Sequence, residues 1–166
     1  MNTNSIKDLK CPLSFEEKLE LADWLAETSR LYGIGITLTG SMLLKKLGII
    51  DREPQDIDFT ILIHQDSDKI PMPPFSREEP DDGNGYKVLK RFSWLGTKVE
   101  ILYNEGLSDE VFFNDSEETQ IEIVENTLKA KKFYLEKETR PDQIAKHKED
   151  IPKIEQWLST KRTKQC

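Results

Sequence analysis

Three acids and one glycine turn stand where they could act together. Gly40-Ser41 follows a β-branched run and opens a helical one. Asp56-Ile57-Asp58 begins a second β-branched run, and Glu100 lies inside Lys98-Val99-Glu100-Ile101-Leu102. Side chains at i and i+2 of a strand point to the same face. Asp56 and Asp58 therefore share a face, opposite Ile57 and Phe59. Glu100 lies opposite Val99 and Ile101, which are expected in the core. If the two strands are neighbours, all three acids share one face. Close carboxylates repel, and burying them is costly. A divalent cation removes that penalty, and Mg²⁺ favours a few carboxylates plus phosphate oxygens over a full protein cage. A glycine turn lets backbone N–H groups approach a phosphate, with Ser41 as a further donor. An Asp-x-Asp alone is more often a solvated strand start. The combination, in this order, points to phosphoryl or nucleotidyl transfer.

The elements that must position these residues are legible in outline. Ser14-Phe15-Glu16-Glu17 reads as a capping box. Phe15, Leu19, Ala22 and Leu25 follow at helical spacing, so a helix is expected to about Leu31. A first strand is expected over Ile34 to Leu38, then a short helix from Met42 to Leu47. Ile57, Phe59, Ile61 and Ile63 alternate with Asp56, Asp58, Thr60 and Leu62, as in a strand. A loop is expected from His64 to Gly85, with four of the eight prolines and the turn signal Asp81-Asp82-Gly83. Such a long loop is functional or disordered. Tyr86 to Trp94 and Thr97 to Tyr103 read as a hairpin turning near Gly96. Beyond it, Gln120 to Val124 reads as a last strand and Thr127 to Leu135 as a helix. Pro141 suits the first turn of another helix, which Pro152 is expected to kink or split.

The chain has 166 residues, a length suited to one domain with a real core. The expected division is a core over about residues 15–124 and a C-terminal helical segment over about 125–160. A formal net charge of -7 argues against tight, non-specific DNA binding, which takes an excess of Lys and Arg. It leaves room for a nucleotide held by a local basic cluster. No apolar run reaches the ~18 residues of a membrane span, and the first residues lack a signal-peptide core. Cys11 and Cys166, near opposite ends, are expected to be reduced in a cytoplasmic protein. His64 and His147 are too isolated to suggest a metal cluster.

Other residues are candidates with everyday alternatives. Lys148 falls four residues after Ile144 and three before Ile151, so it either snorkels to water or reaches a phosphate. Arg52 precedes the carboxylate pair and either touches phosphate or lies in solvent. Lys90 and Arg91 are adjacent on a strand, so only one can face the acids, and either is more often solvated. Trp94 and Tyr103 could stack a base, with core packing as the plainer reading. Phe112 and Phe113 read as core.

Taken together, Thr39-Gly40-Ser41-Met42-Leu43-Leu44, Leu47-Gly48-Ile49-Ile50, Arg52 and Asp56-Ile57-Asp58-Phe59 resemble the nucleotidyltransferase superfamily that includes DNA polymerase beta. The likeness is to its small bacterial members, such as those of abortive-infection systems and antibiotic-modifying enzymes. It covers about residues 15–103, and Lys146-His147-Lys148-Glu149-Asp150-Ile151 is similar to the helix that follows their core. The resemblance implies an α+β fold: a single domain with a mixed β-sheet, helices packed on it, and C-terminal helices. It implies metal-dependent transfer of a nucleoside monophosphate from a nucleoside triphosphate, such as ATP, to an acceptor hydroxyl. Asp56, Asp58 and Glu100 would then be the catalytic acids and the ligands of Mg²⁺ or Mn²⁺, with Glu100 as ligand or base. Gly40 and Ser41 would hold the triphosphate, and Arg52 and Lys148 are the further nucleotide-binding candidates. The acceptor is a small molecule, an RNA end or a protein side chain. The superfamily also has inactive relatives, so a nucleotide- or partner-binding module is the alternative. Asp56-Ile57-Asp58-Phe59-Thr60 also matches haloacid dehalogenase-type phosphatases, but there the acids follow the apolar strand, and here they precede it.

Overall fold

The computed structural model describes Ile6, Leu9 and residues 11–62, 66–80, 88–103 and 106–164. The chain forms two compact units. The first comprises Met1–Leu43 with Glu53–Asn104, and the second Leu44–Arg52 with Glu105–Cys166. Among the described residues, no helix is long and apolar enough to cross a membrane.

The first unit begins with helix α1, Phe15–Leu31. Its start is the expected capping box: the Ser14 hydroxyl accepts from Glu17 N–H, and Glu17 accepts from Ser14 N–H. Strand β1 (Ile36–Thr39) leads directly into the seven-residue helix α2 (Gly40–Lys46), and strand β2 follows over Ile57–Ile61. The expected loop is only partly a loop. It contains a 3-10 turn at Ser67–Lys69 and a short strand, β3, at Ser76–Glu78. Its first residues and the Asp81-Asp82-Gly83 signal, like Ile63, lie outside the described residues. Strands β4 (Val88–Trp94) and β5 (Thr97–Leu102) form the expected hairpin. Leu95 and Gly96 both take positive φ, 50° and 77°, as a two-residue type I′ turn requires. The free Cys11 donates its thiol to the Leu95 carbonyl, whereas Cys166 lies outside the described residues.

These strands make one mixed five-stranded sheet in the order β1-β2-β5-β4-β3. β2 and β5 are parallel at its centre, and the other pairs are antiparallel. One face is apolar. Ile57, Phe59, Ile61, Val99, Ile101, Phe92 and Trp94 cluster there with Leu21, Ala22 and Leu25 of α1. Trp94 is fully buried, tilted against Trp24 at 5.6 Å between ring centroids, and donates its indole N–H to the Pro74 carbonyl. It is a core residue. Burying one such side chain contributes about 1.5–3 kcal/mol, so this face anchors the sheet. The opposite face carries Thr37, Thr39, Asp58, Thr60, Lys98, Glu100, Arg91 and Ser93, with Leu102 at the end of β5, and is mainly polar.

The second unit departs from expectation at several points. Gln120 to Val124 is not a strand. It lies within helix α3, Glu117–Lys137, which also takes in the helix expected over Thr127 to Leu135. The Ser116 hydroxyl caps this helix by accepting from Thr119 N–H, and Thr119, Ile123, Val124 and Thr127 are buried at helical spacing. Helix α4, Pro141–Lys164, starts at proline as expected and runs through Pro152 without splitting. Pro152 removes the N–H that would serve the Lys148 carbonyl. Both residues are exposed, so water can take that acceptor. Phe112 is buried, but Phe113 is 67 % exposed and is not a core residue.

Candidate functional site

The register between the two central strands decides where the acids go. Asp58 of β2 pairs directly with Glu100 of the parallel strand β5, and Thr39 of β1 pairs with Asp58 on the other side. Directly paired residues project to the same face. Asp58 and Glu100 therefore stand side by side on the polar face. Asp56 lies just before β2, and the Lys98 ammonium reaches both its carboxylate and that of Glu100. Lys98 thus links Asp56 to Glu100, and strand pairing sets Glu100 beside Asp58. Asp56 and Asp58 are half-buried and Glu100 is buried.

The glycine turn is part of the same place. Gly40 has φ +65°, a conformation that costs an L residue about 1–2 kcal/mol. A Cβ added there would stand 2.7 Å from Asp58 Oδ2 and 3.3 Å from its Cβ. The start of α2 can approach the Asp58 carboxylate so closely because position 40 has no side chain. Ser41 is the next residue of α2.

Two cations offset part of the charge of the three acids. Glu100 Oε2 accepts from Arg91 Nη2 at 3.1 Å, and Glu100 Oε1 is 2.9 Å from Lys98 Nζ. The same ammonium is 3.4 Å from Asp56 Oδ2. Burial pulls the Lys98 pKa down, but the hydrogen bond to Glu100 and the charges of Asp56 and Glu100 outweigh it. The net shift is upward, so Lys98 is charged at neutral pH. Arg91 is the member of the Lys90–Arg91 pair that faces the acids, and it is buried rather than solvated. Its other arm donates to the Pro80 carbonyl. Lys90 turns the other way, toward the Ser67 and Ile70 carbonyls. Sequence reasoning missed Lys98, although its place two residues before Glu100 put it on the same face.

The donor set suits a hard divalent cation, since all its ligands are carboxylate oxygens. Among the described residues, however, no group of three or more His, Cys, Asp or Glu side chains is placed to hold a metal ion. Both Glu100 oxygens are engaged by cations, and Lys98 bridges to Asp56. As arranged, Asp56 is paired with Lys98 and Glu100 with both Lys98 and Arg91, so the three acids do not form a ready metal site.

Arg52 and Lys148 belong to the second unit. Arg52 is neither solvated nor poised as a lone phosphate ligand: it is ion-paired with Asp150. Lys148 is exposed, off the buried stripe of α4. That stripe consists of His147, Asp150, Ile154 and Leu158. Of the apolar residues that mark this stripe in the sequence, Ile154 and Leu158 are buried, whereas Ile144 and Ile151 are only partly so, and the polar His147 and Asp150 take the buried positions beside them. Asp150 is fully buried, and its Oδ2 also pairs with Lys131 at 3.0 Å. His147 is buried, and neither ring nitrogen has a hydrogen-bond partner among the described residues. Burial first, and then the nearby Lys131 charge, pushes its pKa below the ordinary histidine value. Trp94 is core, as the plainer reading has it, whereas Tyr103 is 55 % exposed and is not a core residue.

No family model, no curated protein and no solved structure matches this chain.

Two predictions follow from these contacts. Gly40→Ala should cost about 1–2 kcal/mol in urea unfolding, from positive φ alone, plus a contribution from the Asp58 contact. That second part should shrink in an Asp58→Ala background, and equal costs in both backgrounds would show that the contact carries no energy. His147 has a depressed folded pKa, so the unfolded state takes up protons first as pH falls. Its stabilising contribution is present above the unfolded value of about 6.5 and is lost as pH drops toward the folded one. The urea midpoint of the wild type should therefore fall between about pH 7 and 5 more steeply than that of His147→Gln.

Proposed function

We propose that the first unit is the core of a metal-dependent nucleotidyltransferase. The reaction moves a nucleoside monophosphate from a nucleoside triphosphate to an acceptor hydroxyl. The bond between the α-phosphorus and its bridging oxygen breaks, a bond to the acceptor oxygen forms, pyrophosphate leaves, and the hydroxyl proton is released. The observation that supports this reading most strongly is the apposition of Gly40 and Asp58. The glycine turn that opens α2 and the Asp58 carboxylate occupy adjoining positions, with Glu100 paired directly beside Asp58.

Each residue has a definite task. Gly40 leaves the backbone at the start of α2 open to a phosphate, and Ser41 adds a hydroxyl there. Asp58, fixed by its strand pairing, and Asp56, two residues before it, bind Mg²⁺ or Mn²⁺. Glu100, oriented by Arg91, is the third acid. A bound divalent ion would offset phosphate charge and lower the pKa of the attacking hydroxyl. The acceptor is a small molecule, an RNA end or a protein side chain, and the cytoplasm is the compartment that suits a nucleoside triphosphate.

A second reading draws on Lys98. An ammonium that already neutralises Asp56 and Glu100 is what a metal-free, non-catalytic relative would need. On that reading the protein binds a nucleotide or a partner without turnover.

Equilibrium binding of each nucleoside triphosphate, with and without Mg²⁺ or Mn²⁺, separates the two. The enzyme reading expects binding that requires the metal and weakens at least about tenfold in Asp58→Ala, since removing a charged ligand commonly costs more than 1.4 kcal/mol. It also expects label from an α-labelled triphosphate to appear on an acceptor in cell extract. Binding indifferent to both the metal and Asp58, with no transfer, supports the second reading.

A further inference from the structure

Asp150 of α4 is loaded unevenly for a buried acid. It is fully buried, and its Oδ2 serves both Arg52 Nη2 and Lys131 Nζ. Its Oδ1 has no hydrogen-bond partner among the described residues. His147 lies three residues earlier on the same buried stripe, and neither of its ring nitrogens has a partner there either. Residues three apart on a helix are neighbours, so the idle imidazole adjoins the carboxylate with the idle oxygen. The charges around His147 are Lys131 from α3, Asp150 from its own helix, and Glu138 and Arg140 from the segment between the helices. Arg140 donates twice to Glu138, and the two cancel. Arg52 and Lys131 against Asp150 leave one net positive charge. A proton on His147 makes it two, in a buried place where like charges are poorly screened. One cation must then leave. Lys131 has the looser hold, a point charge on a flexible four-carbon stem at 3.0 Å, whereas Arg52 is a planar and closer partner.

We propose that His147 and Lys131 are alternative partners of Asp150, forming an acid-operated clasp between α3 and α4. At neutral pH the clasp is closed, with Lys131 of α3 on Asp150 of α4. A proton taken up by His147 makes both ring nitrogens donors. One of them serves Oδ1, and the Lys131 ammonium moves to solvent. Arg52 stays on Oδ2 in both states, so the tie that opens is the one between the two helices. The exchange moves one proton from water to the imidazole and breaks no covalent bond. It sets in below the ordinary histidine value of about 6.5, because burial and the Lys131 charge both resist the proton. The clasp lies wholly within the second unit and needs neither metal nor nucleotide.

The test is an NMR titration of the full chain across the histidine range, from about pH 7.5 to about pH 5. It follows the His147 ring and the Lys131 methylene next to the ammonium, with the amide spectrum as the check that the fold is kept. Lys131 should shift with the same midpoint as His147, and that Lys131 transition should vanish in His147→Gln. Lys131→Gln should raise the His147 midpoint by about half a pH unit or more, since a nearby like charge is gone. Lys153→Gln, which removes the exposed pair with Glu149 on the same helix, should move it by less than about 0.2 unit. A His147 titration that leaves the Lys131 signal unmoved overturns the proposal. So does a His147 ring that stays neutral until the amide spectrum collapses. An unchanged midpoint in Lys131→Gln, or an equal rise in Lys153→Gln, overturns it too. The wild-type titration decides by itself where a variant fails to fold.

Discussion

The direct pairing of Asp58 with Glu100 across two parallel central strands is the constraint on which the candidate site depends. A slip of one residue in either strand would turn its acid into the apolar face and its core residues out of it. The apolar face forbids that slip. Ile57, Phe59, Val99 and Ile101 are all essentially inaccessible to solvent, packed with Leu21 and Leu25 of α1. The energy that fixes the acids thus comes from the other side of the sheet.

That arrangement has a cost that the molecule meets internally. Three carboxylates on one sheet face would repel, and Glu100 is buried enough that its charge needs a partner. Arg91 and Lys98 supply one each. The second unit solves a similar problem in another way. Asp150, fully buried on α4, takes Arg52 and Lys131 together on one oxygen. Arg52 was expected to be a phosphate contact or a solvated turn residue. Its ion pair with Asp150 gives it a structural task within its own unit.

Signals confined to a few neighbouring residues were readable from sequence. The Ser14 capping box, the Gly96 hairpin turn and Pro141 at a helix start each act over less than two turns of chain, and all three appear where expected. That Asp58 and Glu100 face the same way was also readable, because strand periodicity is local even though the pairing is not. Features set by competition were not. Ile121, Ile123 and Val124 suit either period, and the Ser116 cap with the buried helical stripe carried the segment into α3. Edge strand β3 is three residues long with no apolar alternation, so nothing in Ser76–Glu78 announced it. Arg91 looks like any strand arginine until Glu100 is known to lie opposite. Lys98, two residues before Glu100, looks like any strand lysine until its reach to Asp56 across the sheet is known.

The proposed transfer reaction requires a divalent cation at the polar face between β2 and β5. Paramagnetic broadening by Mn²⁺ in a two-dimensional amide NMR spectrum reads that position without any assumption about substrate. The account predicts that substoichiometric Mn²⁺ bleaches the amides of Gly40, Ser41, Asp56, Asp58 and Glu100 first, ahead of the rest of the chain. Bleaching that begins elsewhere, at surface acids of α1 or α3 with these five signals intact, would contradict it.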